Sequence, residues 1–274
     1  MTTTIEWVQN PDGTKGETWN PVVGCSKVSP GCMHCYAETM AKRLKAMNMQ
    51  QYQDVIGDKG WTGKLQLVES SLKKPIGKKK PTVYFVNSMS DLFHEDVPIE
   101  VIKKVFDVIG QTPWHIYQIL TKRHQRLVEL ADELDWHQNI WMGVSVENQN
   151  YIERVDCLRQ VPANVRFLSC EPLLGPLELD LTKIHWVIVG GESGLKHRPM
   201  KEEWVRSIRE QCQDAEVAFF FKQWGGRTPK AGGRLLDEKI WDEMPEAWEQ
   251  HKNKWEKRHP VGGLRRSNKA AMTA

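Results

Sequence analysis

Three cysteines near the start of the chain have the residue type and spacing needed to bind a metal. Cys25, Cys32 and Cys35 are half of the six cysteines in the 274-residue sequence and fall within eleven positions. The last two have C-x-x-C spacing, which lets two thiolates reach one metal from a tight turn. A turn-forming S-P-G run separates them from the first. The stretch WNPVVGCSKVSPGCMHCYAE, residues 19–38, is therefore the strongest candidate for a functional loop.

Three thiolates without an obvious fourth ligand favour some metal centres over others. A structural zinc site needs four protein ligands, and His34, between two of the cysteines, is poorly placed to be the fourth. A 4Fe–4S cluster is usually held by four thiolates, so three would leave one iron open to a substrate or cofactor. Two alternatives stay open: zinc completed by a distant His or Cys, and reduced thiols close together by chance. A disulfide is disfavoured because MTTTIEWVQN does not resemble a secretory signal.

The elements that position these cysteines follow in the sequence. AETMAKRLKAM, residues 37–47, is rich in helix formers and places Met40, Leu44 and Met47 on one stripe. The cysteines are therefore predicted to lie on a loop that leads into a helix. The polar residues 48–63 indicate an insertion or irregular loop.

Farther along, apolar runs alternate with segments of helical spacing. The runs are TVYFVNSMSD, HIYQILTKR, NIWMGVSVEN, VRFLSCEP, IHWVIVGGESG and VAFFFKQWGG. Nearly continuous apolar runs are typical of parallel strands buried on both faces, and the alternation indicates βαβ units. With one strand before the cysteine loop, the sequence predicts an α/β fold: a single (β/α) barrel, complete or partly open, with about seven parallel strands. A doubly wound open sheet is the alternative, although G-x-G-x-x-G is absent after the first strand.

Every predicted strand ends in polar residues. The carboxyl ends of strands in a parallel barrel surround one mouth, so these residues are expected to share a cavity with the cysteine loop. The alternative is that strand ends are polar simply because they meet solvent. Asn87, Ser145, Glu147, Asn148 and Glu192 are predicted to face the three cysteines. The full set is Asn87, Ser88, Asp91, Thr121, Lys122, Arg123, Ser145, Glu147, Asn148, Ser169, Glu171, Glu192, Ser193, Lys222 and Gln223.

The cysteine loop resembles the cluster-binding loop of the radical S-adenosylmethionine superfamily. It departs from the usual pattern, because six residues rather than three separate the first two cysteines, although the final C-x-x-C is kept. More of the chain, from about residue 5 to 240, resembles a phage-associated family of uncharacterised proteins described as radical-S-adenosylmethionine-like. The matching pieces are TWNPVVGC, SPGCMHCYAE, FVNSMSDLFHEDVP, LTKR, GVSVEN, FLSCEPLLGP, WVIVGGESG, FFKQWGG and GRLLD.

The resemblance implies a 4Fe–4S cluster on the three cysteines and S-adenosylmethionine at the open iron. Reductive cleavage would give a 5′-deoxyadenosyl radical that acts on an unknown substrate, with a nucleic acid or nucleoside as one option. It also implies an unidentified flavodoxin- or ferredoxin-like electron donor. The implied cofactor-binding residues are Asn87 and Ser88 near the methionine amino group, Ser145, Glu147 and Asn148 near the ribose, and Glu171, Gly190, Gly191 and Glu192.

Composition limits the remaining possibilities. The chain is 40% hydrophobic and 27% charged, which is ordinary for a soluble globular protein, and no apolar run approaches the roughly 20 residues of a membrane span. A cytoplasmic protein without a membrane partner is expected, with its oligomeric state open. The barrel domain is predicted over residues 1–250, and a flexible basic tail over residues 251–274.

A different class of function stays open beside the enzyme. The chain could be a nucleic-acid-binding or repair-associated module with a structural zinc site, although a net charge of +3 is too small to identify one. The alternative for the tail is a terminus that is exposed to solvent and has no binding role. The residues that favour binding are Lys73, Lys74, Lys78, Lys79 and Lys80 in one connection, and Trp255, Arg258, His259, Arg265, Arg266 and Lys269 in the tail.

Overall fold

A seven-stranded parallel sheet forms the centre of the protein, seen in a computed structural model that describes residues 2–258. The order of the strands in the sheet follows the chain without reversal, which excludes the doubly wound alternative. The sheet is curled, and its first and last strands are its two edges, so the predicted (β/α) barrel is confirmed in its partly open form. The strands are β1 (Glu17–Trp19), β2 (Val83–Val86), β3 (Ile116–Thr121), β4 (Ile140–Ser145), β5 (Val165–Cys170), β6 (Trp186–Gly190) and β7 (Ala218–Gln223).

Helices connect the strands, as the spacing of apolar residues predicts. They are α1 (Tyr36–Ala46), α2 (Ile99–Gly110), α3 (His124–Ala131), α4 (Glu153–Gln160), α5 (Glu202–Asp214) and α6 (Glu246–Arg258). Shorter elements are the one-turn helices Glu69–Leu72 and Lys74–Gly77, the 3₁₀ turns Pro30–Cys32, Gln50–Tyr52 and Gln149–Tyr151, and two pairs of two-residue strands, Val22–Val23 with Gln66–Leu67 and Ile56–Gly57 with Gly60–Trp61. None of the helices in residues 2–258 is long and apolar enough to cross a membrane.

The predicted division at residue 250 falls inside α6, which continues to Arg258. The rest of the predicted basic tail, residues 259–274 with His259, Arg265, Arg266 and Lys269, lies outside the described residues. The two-part organisation of the chain therefore stays a prediction.

The two faces of the sheet pack against different partners. One face packs against the helices, with Ile102 of α2 and Ile208 of α5 in the same buried cluster as strand residues. The other face is covered by the N-terminal segment, whose Trp7 lies with its ring centroid 4.9 Å from Phe85 and 6.2 Å from Trp186. Both faces are therefore buried, as continuous apolar strands require.

Helix α1 differs from the predicted stripe. Its buried residues are Ala37 and Ala41; of the predicted stripe, Leu44 packs partly buried against the same core, whereas Met40 and Met47 are 42% and 70% exposed. Residues 48–63 pack against this helix and form a small separate core with it. Small alanines one turn apart let that segment approach the helix closely, so tertiary packing decided which face is buried.

Candidate active site at the mouth of the half-barrel

The cysteine loop lies at the carboxyl ends of the strands. It follows β1, and a bridge between Gly24 and Ser90 joins it to the segment that follows β2. Cys32 ends a short 3₁₀ turn, and Cys35 immediately precedes α1. The three cysteines are free thiols, each partly buried. The loop thus opens on the mouth of the half-barrel.

The surroundings of Cys25 determine its proton affinity in the absence of a metal. Burial first, and then Asp91, raise the pKa of its thiol to about 12, while Arg123 opposes them. Cys32 and Cys35 also raise this pKa, so the three thiols lie close enough to interact. A metal that bound here would have to displace the proton of Cys25.

The donor set fits a cluster by its chemistry, since it offers three thiols from one partly buried loop. Within residues 2–258, however, no group of three or more His, Cys, Asp or Glu side chains is already placed to hold a metal ion. The sulfurs must therefore converge when a metal binds. A short loop that is free of regular structure between Gly24 and Ser29 allows such an adjustment.

Glu147, which follows β4, fixes one side of the cysteine loop. Its carboxylate is fully buried; one oxygen accepts a hydrogen bond from Ser29 Oγ at 2.5 Å, and the other accepts one from Arg154 Nη1 at 2.8 Å. Lys122 Nζ lies 3.8 Å away. Gly31 packs directly against this carboxylate, where any side chain would clash. A buried carboxylate needs such partners, and here one of them belongs to the cysteine loop.

Glu192, which follows β6, fixes the other side. It is 7% exposed and accepts hydrogen bonds from His34 Nδ1 at 3.0 Å and from Arg198 Nε and Nη2 at 3.0 and 2.6 Å. The same guanidinium donates to the carbonyl of Pro30 at 3.0 Å. Although burial alone raises the pKa of Glu192, the hydrogen bonds from Arg198 and His34 lower it to about 2. Glu192 is therefore an anion that ties His34 to the sheet.

A third carboxylate repeats the arrangement. Glu171, which follows β5, lies 2.8 Å from Lys222 Nζ and accepts hydrogen bonds from Trp7 Nε1 at 3.2 Å and Ser169 Oγ at 3.3 Å. Each of these three glutamates thus has its own cation, whereas Asp91 accepts hydrogen bonds from Thr121 Oγ1 and the backbone nitrogen of Lys122. The pairs are Glu147–Arg154, Glu171–Lys222 and Glu192–Arg198.

Two predicted residues have unused hydrogen-bonding groups. Asn87, which follows β2, is buried with φ of 55°, and neither its amide nitrogen nor its amide oxygen has a partner among the described residues. Ser145, at the end of β4, is buried, and its hydroxyl likewise lacks a partner there. A buried polar atom without a partner costs about 1–3 kcal/mol. These groups could be satisfied by a polar ligand in the mouth.

The other predicted contacts are engaged within the protein. Ser88 Oγ donates to Asn20, and the Asn148 side chain accepts from the backbone of Asn150. The space that a side chain would need at Gly190 is taken by the Glu171 carboxylate, and at Gly191 by the backbone of Trp224. These glycines allow close packing of the strand ends. Their assignment as cofactor contacts stays a prediction.

Sequence patterns did not indicate several residues that hold the loop. Ser26 Oγ lies 2.8 Å from His94 Nε2 and accepts a hydrogen bond from Arg123 Nη2 at 2.9 Å. Ser29 and Arg198 likewise connect the loop to the sheet. Of these residues, only Arg123 belongs to the predicted set of strand-end residues; no spacing rule singles out Ser26, Ser29, His94 or Arg198.

The chain is similar to two solved structures of spore photoproduct lyase. One is complexed with dinucleoside spore photoproduct, at 14% identity and a TM-score of 0.44 over 93% of this chain and 77% of that chain. The other is a double mutant with bound AdoMet and dinucleoside spore photoproduct, at 14% identity and a TM-score of 0.43 over 94% and 76%. Similarity at this level is too low to transfer a reaction.

Of two comparisons by sequence, one found a match. A search of curated proteins found no significant match. A family model matches residues 2–245, which is most of the chain. The chain therefore belongs to the family described as "Protein of unknown function (DUF5131)".

Proposed function

We propose that the chain is a radical S-adenosylmethionine enzyme that holds a 4Fe–4S cluster through Cys25, Cys32 and Cys35. The observation that carries the proposal is the place of the cysteine loop: it lies at the mouth of a parallel half-barrel, between the buried anions Glu147 and Glu192. Bound together, the cluster and S-adenosylmethionine would supply reductive cleavage of the sulfonium to methionine and a 5′-deoxyadenosyl radical.

The residues of the chain would hold and orient these groups. Hydrogen bonds from Ser29 to Glu147 and from Arg198 to the Pro30 carbonyl fix the backbone that carries the cysteines. The free amide of Asn87 offers both a donor and an acceptor to the amino-acid end of the cofactor. The free hydroxyl of Ser145 offers the same to a ribose hydroxyl.

Glu192 has a different role from the one its sequence position indicates. It already accepts four hydrogen bonds, from His34 Nδ1 and from the backbone nitrogen, Nε and Nη2 of Arg198. A carboxylate satisfied in this way has little capacity left for a ligand. We therefore assign it the task of positioning His34 and Arg198 beside the cysteines.

The experiment is anaerobic reconstitution with iron and sulfide, followed by S-adenosylmethionine and dithionite, with chromatographic detection of 5′-deoxyadenosine. The wild type should form it, and Cys35→Ala should not. Cys157→Ala is the matched control, because Cys157 lies on α4 and not on the loop; this variant should behave as the wild type. Product from Cys35→Ala, or none from an iron-loaded wild type, would contradict the proposal. An unidentified flavodoxin- or ferredoxin-like protein is the proposed donor in cells.

The zinc and nucleic-acid alternative has less support at the residues that suggested it. Lys74 and Lys78 both contact Glu17, and Lys80 lies 2.9 Å from Asp12. Three of its five lysines are thus engaged by two carboxylates, while Lys73 and Lys79 have no ion pair in the described part of the chain. Stoichiometric zinc without iron after reconstitution would restore this alternative.

A further inference from the structure

Two loops at the mouth are rich in cations and contain no acid. The loop at residues 193–201, SGLKHRPMK, follows β6, and the loop at residues 224–235, WGGRTPKAGGRL, follows β7. Together we call them the basic rim. Its six cations are Lys196, Arg198, Lys201, Arg227, Lys230 and Arg234.

The two loops form one surface that adjoins the cysteine loop. Ser193 bridges Gly226, and the nitrogen of Gly194 donates to the carbonyl of Gly226 at 2.9 Å. Gly225 has φ of 83° and no room for a side chain, because the carbonyl of Glu192 lies against it. The hydrogen bond from Arg198 to Pro30 then joins this surface to the cysteine loop. The basic rim is thus a fixed edge of the mouth.

Four of these cations have no ion pair within residues 2–258; one of the four, Arg234, is partly buried and donates to the carbonyl of Phe221 at 3.4 Å. Arg198 pairs with Glu192, and Lys201 lies 3.6 Å from Glu203. Lys196, Arg227 and Lys230 are exposed, and none of them has an ion pair in the part of the chain that the structure describes. They differ in this from Lys74, Lys78 and Lys80 of the basic connection, which contact carboxylates, although not from Lys73 and Lys79. Unneutralised cations at a fixed edge attract a polyanion.

An exposed aromatic ring lies directly beside the cysteines. Tyr36 directly follows Cys35 and is 58% exposed, yet its hydroxyl donates to the carbonyl of Ser88 at 2.9 Å. Met33, also beside the cysteines, is 56% exposed. A ring that is anchored by its hydroxyl and open to solvent can stack on a nucleobase without losing much conformational freedom.

We propose that the basic rim binds the phosphodiester backbone of a single-stranded nucleic acid and that Tyr36 stacks on one of its bases. The identification of this nucleic acid as the substrate rests on the proposed function, whereas the binding itself does not. An acidic protein would also suit the cations. The stacking surface and the glycine backbone, which lets phosphates approach closely, favour the nucleic acid.

The test is fluorescence anisotropy of the reconstituted full chain with labelled oligothymidine and oligouridine. The rim variant carries Lys196→Gln, Arg227→Gln and Lys230→Gln. The matched control carries Lys15→Gln, Lys104→Gln and Lys183→Gln, which remove three exposed charges from α2 and from the segments that precede β1 and β6. Three phosphate contacts predict affinity about 20-fold weaker for the rim variant at low salt, and a shallower salt dependence. The control should bind as the wild type does.

A second pair of variants tests the stacking. Tyr36→Leu should weaken binding about 10-fold, while Tyr36→Phe, which keeps the ring, should retain most of it. Binding of either oligonucleotide with this pattern supports the inference, and a preference between them identifies DNA or RNA.

Three results would overturn the inference. They are absence of binding by the wild type, equal losses in the rim and control variants, and binding of labelled polyglutamate as tight as that of the oligonucleotides, which would indicate an acidic protein instead. Oligonucleotide binding without 5′-deoxyadenosine would leave this inference intact and remove the proposed function. Formation of 5′-deoxyadenosine without oligonucleotide binding would leave the proposed function intact and remove this inference.

Discussion

The two ends of the half-barrel are built from different chemistry. At the mouth, three carboxylates are each paired with a cation, and three thiols lie among them. At the amino ends of the strands, Trp186 lies edge to face with Trp141 at 6.0 Å, and Trp141 with Trp248 at 6.2 Å. A cavity of about 540 Å³ beside Trp114 and Trp255 lies at this aromatic end. The packed aromatic end contributes stability, and the mouth holds the groups that can bind a metal or cofactor.

This difference means that the two ends should respond differently to substitution. Removing an aromatic ring should cost stability without altering the mouth. Removing a charge at the mouth should alter the cysteine loop and cost less stability, unless the charge is fully buried. The predictions below follow that order.

The largest effect is expected at the aromatic end. Trp186 is fully buried among aromatic rings, and its indole donates to the carbonyl of Glu243 at 2.8 Å. Trp186→Ala should lower the free energy of unfolding by about 3–5 kcal/mol through cavity formation. Denaturant unfolding measures this. The folded fraction should still incorporate iron as the wild type does. A decrease in the free energy of unfolding below about 1 kcal/mol would show that this end contributes little to stability.

Glu147 should give the next largest effect, because its charge is fully buried at the mouth. Glu147→Ala leaves Arg154 buried without its partner, which costs about 3 kcal/mol. It also frees Ser29, so alkylation of Cys32 should become faster. The double variant Glu147→Ala, Arg154→Met should recover part of the stability but not the slow alkylation. Unchanged alkylation in the single variant would argue against a role for Glu147 in holding the loop.

A substitution at Glu192 tests the mouth with a smaller change in the side chain. Glu192→Gln keeps the shape but removes the charge that positions His34 and Arg198, and should weaken S-adenosylmethionine binding by about 1–3 kcal/mol. Equilibrium binding to the reconstituted protein measures this. Glu203→Gln, at an exposed pair with Lys201, is the control and should have no effect.

A pH dependence at the aromatic end should be no larger than the effect of Glu192→Gln. His115 precedes β3; its Nδ1 accepts from the Thr82 nitrogen, and burial lowers its pKa to about 4. The folded-state pKa lies below the ordinary value of 6.5, so this histidine contributes stability that is fully present above pH 6.5. That stability, about 1–3 kcal/mol, is lost as the pH falls from about 6.5 towards about 4. His115→Gln should flatten the unfolding free energy in this window. An unchanged slope would assign the pH dependence to other groups.

The sheet could be predicted from the sequence because each strand is marked by its own run of apolar residues. The run HIYQILTKR gives β3, and Pro98 marks the residue before α2. The face of α1 could not be predicted, because Ala37 and Ala41 are buried by residues 48–63, whose path no periodicity specifies.

The same limit applies to the site. The strand-end rule singled out Glu147 and Glu192, which contact the loop residues Ser29 and His34. It did not single out Arg198, because the choice of a partner depends on how the loop after β6 folds back. Whether the strand-end residues contact a cofactor stays a prediction.

The metal content of the reconstituted protein tests the central claim most directly. After anaerobic reconstitution, the wild type and Cys212→Ala should each contain about four irons per chain, because Cys212 is buried in α5 away from the loop. Cys32→Ala should contain none in stoichiometric amount. Stoichiometric zinc with no iron in the wild type, or full iron in Cys32→Ala, would contradict the claim that the three cysteines at the mouth hold a 4Fe–4S cluster.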